Sequence, residues 1–164
     1  MPSESSARLH DCNCLALRQA ARHVTQFYDQ YLAPTGLRTT QFSILAKLHR
    51  LGPMTINTLA RELVMDRTTL GRTMLPLERD GLIAISEGSV DRRSKELAVT
   101  KAGTECLQRA AKLWVEAQKA FEKRFDPRRA ADLRGLLSEV VACDLEKPQA
   151  APISRRPSGR ARLA

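Results

Sequence analysis

Between Asp11 and Tyr31, apolar residues recur at three- and four-residue steps (Leu17, Ala20, Val24, Phe27, Tyr31), the spacing of one helical face. Pro34 and Gly36 interrupt that pattern. A second helix is expected to start at Thr39 or Thr40, either of which can cap it. Phe42, Leu45 and Leu48 face inward, and Gly52-Pro53 ends it. From Thr55 to Leu63 the pattern predicts a short helix with Ile56, Leu59, Ala60 and Leu63 on one face. Val64-Met65 is then a tight connector. Asp66 is a suitable cap for a further helix to about Asp80, with Leu70, Met74 and Leu77 inward and Gly81 as its stop. Pro76 falls inside that helix, where a kink or a shortened last turn is expected.

Leu82–Ile85 and Lys95–Val99 read as paired strands around a polar loop, Ser86–Ser94. Thr100 can cap a long helix to about Arg124 whose stripe is Cys106, Leu107, Ala110, Leu113 or Trp114, Ala117 and Phe121. Asp126-Pro127 opens a last helix carrying Leu133, Leu136, Leu137, Val140, Val141 and Leu145, which should end near Lys147-Pro148. The fold class is therefore mainly α with a small β-hairpin wing: a winged helix-turn-helix flanked by long helices. The expected division is a flexible stretch at 1–10, one domain at 11–147, and a basic disordered tail at 148–164. Within the domain, 39–99 forms the winged helix-turn-helix, and 11–33 with 100–147 supply dimerisation helices. Their apolar stripes exceed what so small a head can cover, which predicts a two-fold dimer.

Composition adds a partner class. The 164 residues carry 27 Lys and Arg against 18 Asp and Glu, a net charge of +9 that suits nucleic acid. Its distribution matters more than its size. Residues 53–100 are balanced, whereas the tail carries Arg155, Arg156, Arg160 and Arg162 with no acid, the composition of a solubilising or phosphate-grasping arm. No apolar run is long enough for a membrane helix and no secretory leader is read at the start, so a cytoplasmic protein is expected. The four cysteines should then be reduced thiols. Scattered histidines, with no Gly-rich phosphate loop and no nucleophile elbow, argue against an enzyme, and no cofactor is expected.

Across about residues 10–146 the chain resembles the MarR family of bacterial transcriptional regulators. The resemblance is carried by Leu59-Ala-Arg-Glu-Leu63, Thr69-Leu-Gly-Arg72, Leu77-Glu-Arg-Asp-Gly-Leu-Ile83 and the wing signature from Asp91-Arg92-Arg93 to Val99-Thr100. It implies a dimeric regulator of double-stranded DNA, most often a repressor, reading a pseudo-palindrome. Arg67, Thr68, Thr69 and Arg72 would then meet base edges, since arginine can bridge guanine O6 and N7 and threonine can touch thymine methyls or phosphate. Arg93 would enter the minor groove. Asp91 would hold the wing, Arg92 and Lys95 would meet phosphates, and Thr55 and Asn57 can donate to the DNA backbone. Two positions depart from the family's pattern: Pro76, usually polar or charged, and Gly71, usually a small hydroxyl residue.

The family loses DNA affinity when the region between heads and dimer helices is modified or liganded, and two signals fit. Cys12-Asn13-Cys14 stands at a helix start, where the macrodipole favours a thiolate. The first helix is similar to that of the organic-hydroperoxide-sensing (OhrR-like) branch. Cys14 matches its reactive cysteine and Tyr28 one of its tyrosines, while Arg18 replaces the second tyrosine. A sulfenic acid at Cys14 would condense with Cys12 or Cys143, whereas Cys106 reads as packing. Alternatively, His23, Phe27, Tyr31 and Phe42 line a cleft for a small aromatic ligand. His10-Asp11-Cys12-Asn13-Cys14 is incomplete as a zinc site in one chain, so no metal is expected. The competing class is an architectural DNA-binding protein that senses nothing and holds phosphates without sequence preference.

Overall fold

The computed structural model describes residues 11–88 and 95–145. Helix α1 spans Asn13–Leu32 and leads through a 3-10 turn, Ala33–Thr35, to α2, Thr39–Leu51. A two-residue strand β1 (Met54–Thr55) precedes α3 (Ile56–Glu62) and α4 (Arg67–Arg79). Strands β2 (Ile83–Glu87) and β3 (Lys95–Val99) follow, then α5 (Lys101–Phe125) and α6 (Pro127–Ala142). The chain forms two compact units, one ending at Arg124 and one beginning at Phe125. The fold is mainly α with a small antiparallel sheet in the order β1-β3-β2.

The core of the first unit gathers what the apolar spacing assigned to it. Leu45 and Leu48 of α2, Leu59 of α3, and Leu70, Met74 and Leu77 of α4 are buried together with Ile44, Ile83, Leu97 and Leu107. Each fully buried leucine contributes roughly 1.5–3 kcal/mol by leaving water, so this cluster fixes the mutual placement of α2, α3 and α4. Both short helices end in the same way. Leu82 N–H reaches the Leu77 carbonyl at 2.8 Å and Gly81 N–H the Glu78 carbonyl at 2.9 Å, a Schellman turn through Gly81 at φ 69°. At the end of α3, Met65 N–H reaches Ala60 O at 2.9 Å and Val64 N–H reaches Arg61 O at 3.1 Å. There the left-handed residue is Val64, at φ 51°.

Several expectations are corrected. The N-cap position of α2 is Arg38, not Thr39 or Thr40. Its cap arrives from α1, where Asp29 Oδ1 accepts the Thr39 N–H and the Thr39 hydroxyl, each at 2.7 Å. In α1 the buried residues are Tyr28 and Leu32, while Leu17 and Ala20 lie exposed, because only the last two turns pack on the core. Strand β2 starts at Ile83 because Leu82 is still engaged in closing α4, and β1, which pairs Met54 with Leu97, was not foreseen. Helix α4 runs through Pro76 to Arg79 without interruption, although the proline withdraws the N–H that would have met the Arg72 carbonyl. The last helix ends at Ala142, five residues short of expectation, where Cys143 turns extended at ψ 129°.

Thr100 closes the sheet onto α5 as a cap. Its hydroxyl accepts the Gly103 N–H at 3.0 Å and donates to the Gly81 carbonyl at 2.7 Å. Gly103 is buried with no room for a β-carbon, which would collide with the Leu82 carbonyl. Thus β2, the end of α4 and the start of α5 meet at one point.

Candidate nucleic-acid interface

Helix α4 is built to present one face. Asp66 caps it, accepting the Thr69 N–H at 2.8 Å. The Thr69 hydroxyl first, and then its backbone N–H, hold the Asp66 carboxyl below its ordinary range. With Leu70, Met74 and Leu77 facing the core, the helical period of 100° per residue turns Thr68 and Arg72 directly away from it. Arg67, Thr68, Thr69 and Arg72 are all exposed, and the side chains of Arg67, Thr68 and Arg72 have no partner among the described residues. The neighbouring acids are occupied: Glu62 holds Lys47 at 3.0 Å and Asp80 holds Arg79 at 2.9 Å. Among the described residues no ion pair joins Arg67 or Arg72 to a carboxylate.

Around this helix the other expected contacts scatter. Thr55 caps α3, its hydroxyl accepting the Thr58 N–H at 3.2 Å, and Asn57 lies exposed beside it. Lys95 is exposed at the start of β3, paired in register with Glu87. Asp91, Arg92 and Arg93 lie outside the described residues. Leu75 was not anticipated; it projects from α4 at 61% exposure, past Arg72 on the same outward side.

The sensing residues are dispersed. Cys12 is the N-cap of α1, its sulfur accepting the Leu15 N–H at 3.5 Å, and Cys14 is exposed in the first turn. Cys143 is exposed at the end of α6, and Cys106 is buried in the core. Tyr28 is buried and donates its hydroxyl proton to Gln118 Oε1 at 2.6 Å, while Gln118 Nε2 donates to Glu122 Oε1 at 2.8 Å. At 1.5 Å per residue, Cys14 and Tyr28 stand about 21 Å apart along α1, so no bond joins them within one chain.

The four aromatic-ligand candidates also separate. Phe27 packs on Tyr31 with centroids 5.1 Å apart and on Phe121 at 6.4 Å, with the Arg124 guanidinium 5.6 Å from its centre. Phe42 instead stacks on Trp114 at 6.1 Å, and His23 is exposed. A surface concavity on α5, lined by Glu105, Gln108, Arg109, Ala111 and Lys112, involves none of these four. Among the described residues no group of three His, Cys, Asp or Glu could hold a metal, and no helix is long and apolar enough to cross a membrane.

Two helices joined by a tight turn, the second bearing an unpaired basic face, followed at once by a β-hairpin, define a winged helix-turn-helix protein. The comparisons with known proteins narrow the class. Residues 37–95 match the model of the MarR family. The chain is 37% identical to the Mycobacterium tuberculosis transcriptional regulator MosR, solved in complex with DNA, over 82% of this chain and 99% of that one, with a TM-score of 0.69. A probable transcriptional regulator from Pseudomonas aeruginosa is 27% identical over 80% of this chain and 98% of that one, with a TM-score of 0.72. The homoprotocatechuate degradative operon repressor of Escherichia coli is 27% identical, covering 82% of this chain and 90% of its own. The chain belongs to the MarR family, whose members are transcriptional regulators and not enzymes.

Proposed function

We propose that this protein is a homodimeric repressor that reads a pseudo-palindromic operator and is released by thiol oxidation at Cys14. The observation that carries the DNA reading is the face of α4, where Arg67, Thr68 and Arg72 stand exposed and unpaired among the described residues at the end of a helix fixed by the core. Placed in the major groove, that end offers two guanidinium groups to guanine edges and a threonine to thymine or phosphate. Thr69, occupied with Asp66, holds the helix start, while Thr55, Asn57 and Lys95 lie where backbone phosphates would pass. The wing residues take the roles the resemblance gives them: Arg93 in the minor groove, Arg92 on phosphate, Asp91 bracing the hairpin. Half-sites lie about one helical turn apart, so that both recognition helices can enter the major groove from one side of the duplex. The relative in E. coli named as a repressor supports that sign of regulation.

For the signal, exposure favours Cys14 over an aromatic ligand. Cys14 is exposed, whereas the Phe27 ring is already packed on Tyr31 and on Phe121 of α5. A Cys14 thiolate attacks the terminal oxygen of an organic hydroperoxide, giving a sulfenic acid and an alcohol. A second thiol, Cys12 or Cys143, then condenses with it, releasing water and forming a disulfide. Tyr28, held inside by Gln118, supports the helix that carries the thiol.

The test is fluorescence anisotropy on DNA flanking the protein's own gene, with protein reduced and then treated with an organic hydroperoxide. Tight, sequence-dependent binding that falls on oxidation and returns with added thiol is the expected result, and Cys14→Ser should remove the response. Binding that ignores oxidant would reject the switch and leave the regulator. Removal of residues 148–164 separates the alternative class, because an architectural binder would lose most of its affinity with those arginines, whereas a specific regulator keeps its operator.

A further inference from the structure

Past its basic first turns, the outward face of α4 changes character. Leu75 is 61% exposed although it belongs to a helix with a complete apolar face elsewhere. At 100° per residue it shares a side with Thr68 and Gly71, and Arg72 borders them. Pro76, next to it, has no N–H to offer. Gly71 has no neighbour within 4 Å of where a β-carbon would stand, so no contact inside the chain demands a glycine there. Glycine in a helix interior nonetheless costs about 1 kcal/mol relative to alanine. The glycine is unfavourable for the isolated fold and the exposed leucine adds nothing to it, and both lie on the same outward side as Thr68 and Arg72.

We propose that Gly71 and Leu75 form an apolar reading strip that recognises thymine C5-methyl groups in the major groove. The missing β-carbon at Gly71 lets the helix approach the base edges, and the Leu75 side chain then covers methyls beyond the pair bound by Arg72. A leucine gives a donor or acceptor edge nothing, so it discriminates by the one apolar group the major groove displays. Duplex DNA is the occupant because the strip is continuous with the unpaired Thr68–Arg72 face.

This inference rests on the operator-binding reading, and the experiment separates the two. Full-length protein is titrated against the duplex flanking its own gene, prepared with thymine and again with deoxyuridine, which deletes only the methyls. Loss of one methyl contact, comparable to one buried CH₂, should weaken binding about fourfold. Leu75→Ala should weaken binding to the thymine duplex by a similar factor and shrink the difference between the duplexes to what Thr68 contributes; a difference that Leu75→Ala leaves at full size overturns the strip. Its thermal midpoint should stay unchanged, since the side chain is mostly outside the core. Gly71→Ala should raise the midpoint and lower the affinity. Tight binding that Arg72→Ala weakens, yet that ignores both deoxyuridine and Leu75→Ala, overturns the apolar strip and leaves the regulator standing. Absence of specific binding, with no effect of Arg72→Ala, overturns both.

Discussion

Val64 shows how little one residue need look like its conformation. It occupies the left-handed position of the Schellman turn between α3 and α4, at φ 51°, where glycine is the usual occupant. A β-branched side chain there is crowded by its own backbone, and 72% exposure means that it gains almost no burial in return. Val64→Gly removes that strain at the price of a more flexible unfolded chain, a net gain of about 1 kcal/mol. The thermal midpoint should therefore rise, and an unchanged or lower midpoint would show that the valine is held by contacts beyond the turn. Sequence reading located this connector from the apolar gap on either side. It did not reveal the left-handed backbone, because Val64 hides the signal that Gly81 displays at the equivalent end of α4.

At the scale of elements, what could be read was periodic and what could not was pairwise. Helices α3 and α4 emerged within a residue or two because their own side chains repeat at the helical period and their caps, Thr55 and Asp66, are adjacent in sequence. Strand β1 is two residues long and exists only through β3, so no period announces it. Gly103 is likewise explained by the Leu82 carbonyl, a backbone atom twenty-one residues away. The Asp29 cap belongs to the same class: Gln41 Oε1 meets the Arg38 N–H locally at 2.9 Å, but the Thr39 N–H is met from α1. Asp29→Ala removes acceptors for the Thr39 N–H and hydroxyl, which should cost about 1–2 kcal/mol in urea unfolding. Asp29→Asn, which keeps one acceptor oxygen, should lose less. Equal losses from both would mean that charge, through Arg38 at 3.4 Å, matters more than the cap.

For the whole molecule, α6 is the element that one chain leaves least explained. It is 16 residues long, and only Ala130 on it is buried. A helix of that length is marginal in water by itself, so its stability must come from packing an apolar face. That face is present: Leu136 is 60% exposed and Val141 65%, with Leu137 and Val140 beside them. Leu15 and Leu17 in the first turns of α1 are exposed as well. In the proposed homodimer a second copy would supply a like surface. Leu136→Glu combined with Val140→Glu places carboxylates in that contact. Sedimentation velocity should then show monomer, against the dimer proposed for the wild type. Affinity for a duplex with both half-sites should fall by about a hundredfold, because the second head no longer binds at high effective concentration. Affinity for a single half-site should barely change, since neither residue belongs to the α4 face. A variant that still sediments as a dimer would exclude this side of α6 as the interface, and a wild type that is monomeric at micromolar concentration would exclude pairing altogether.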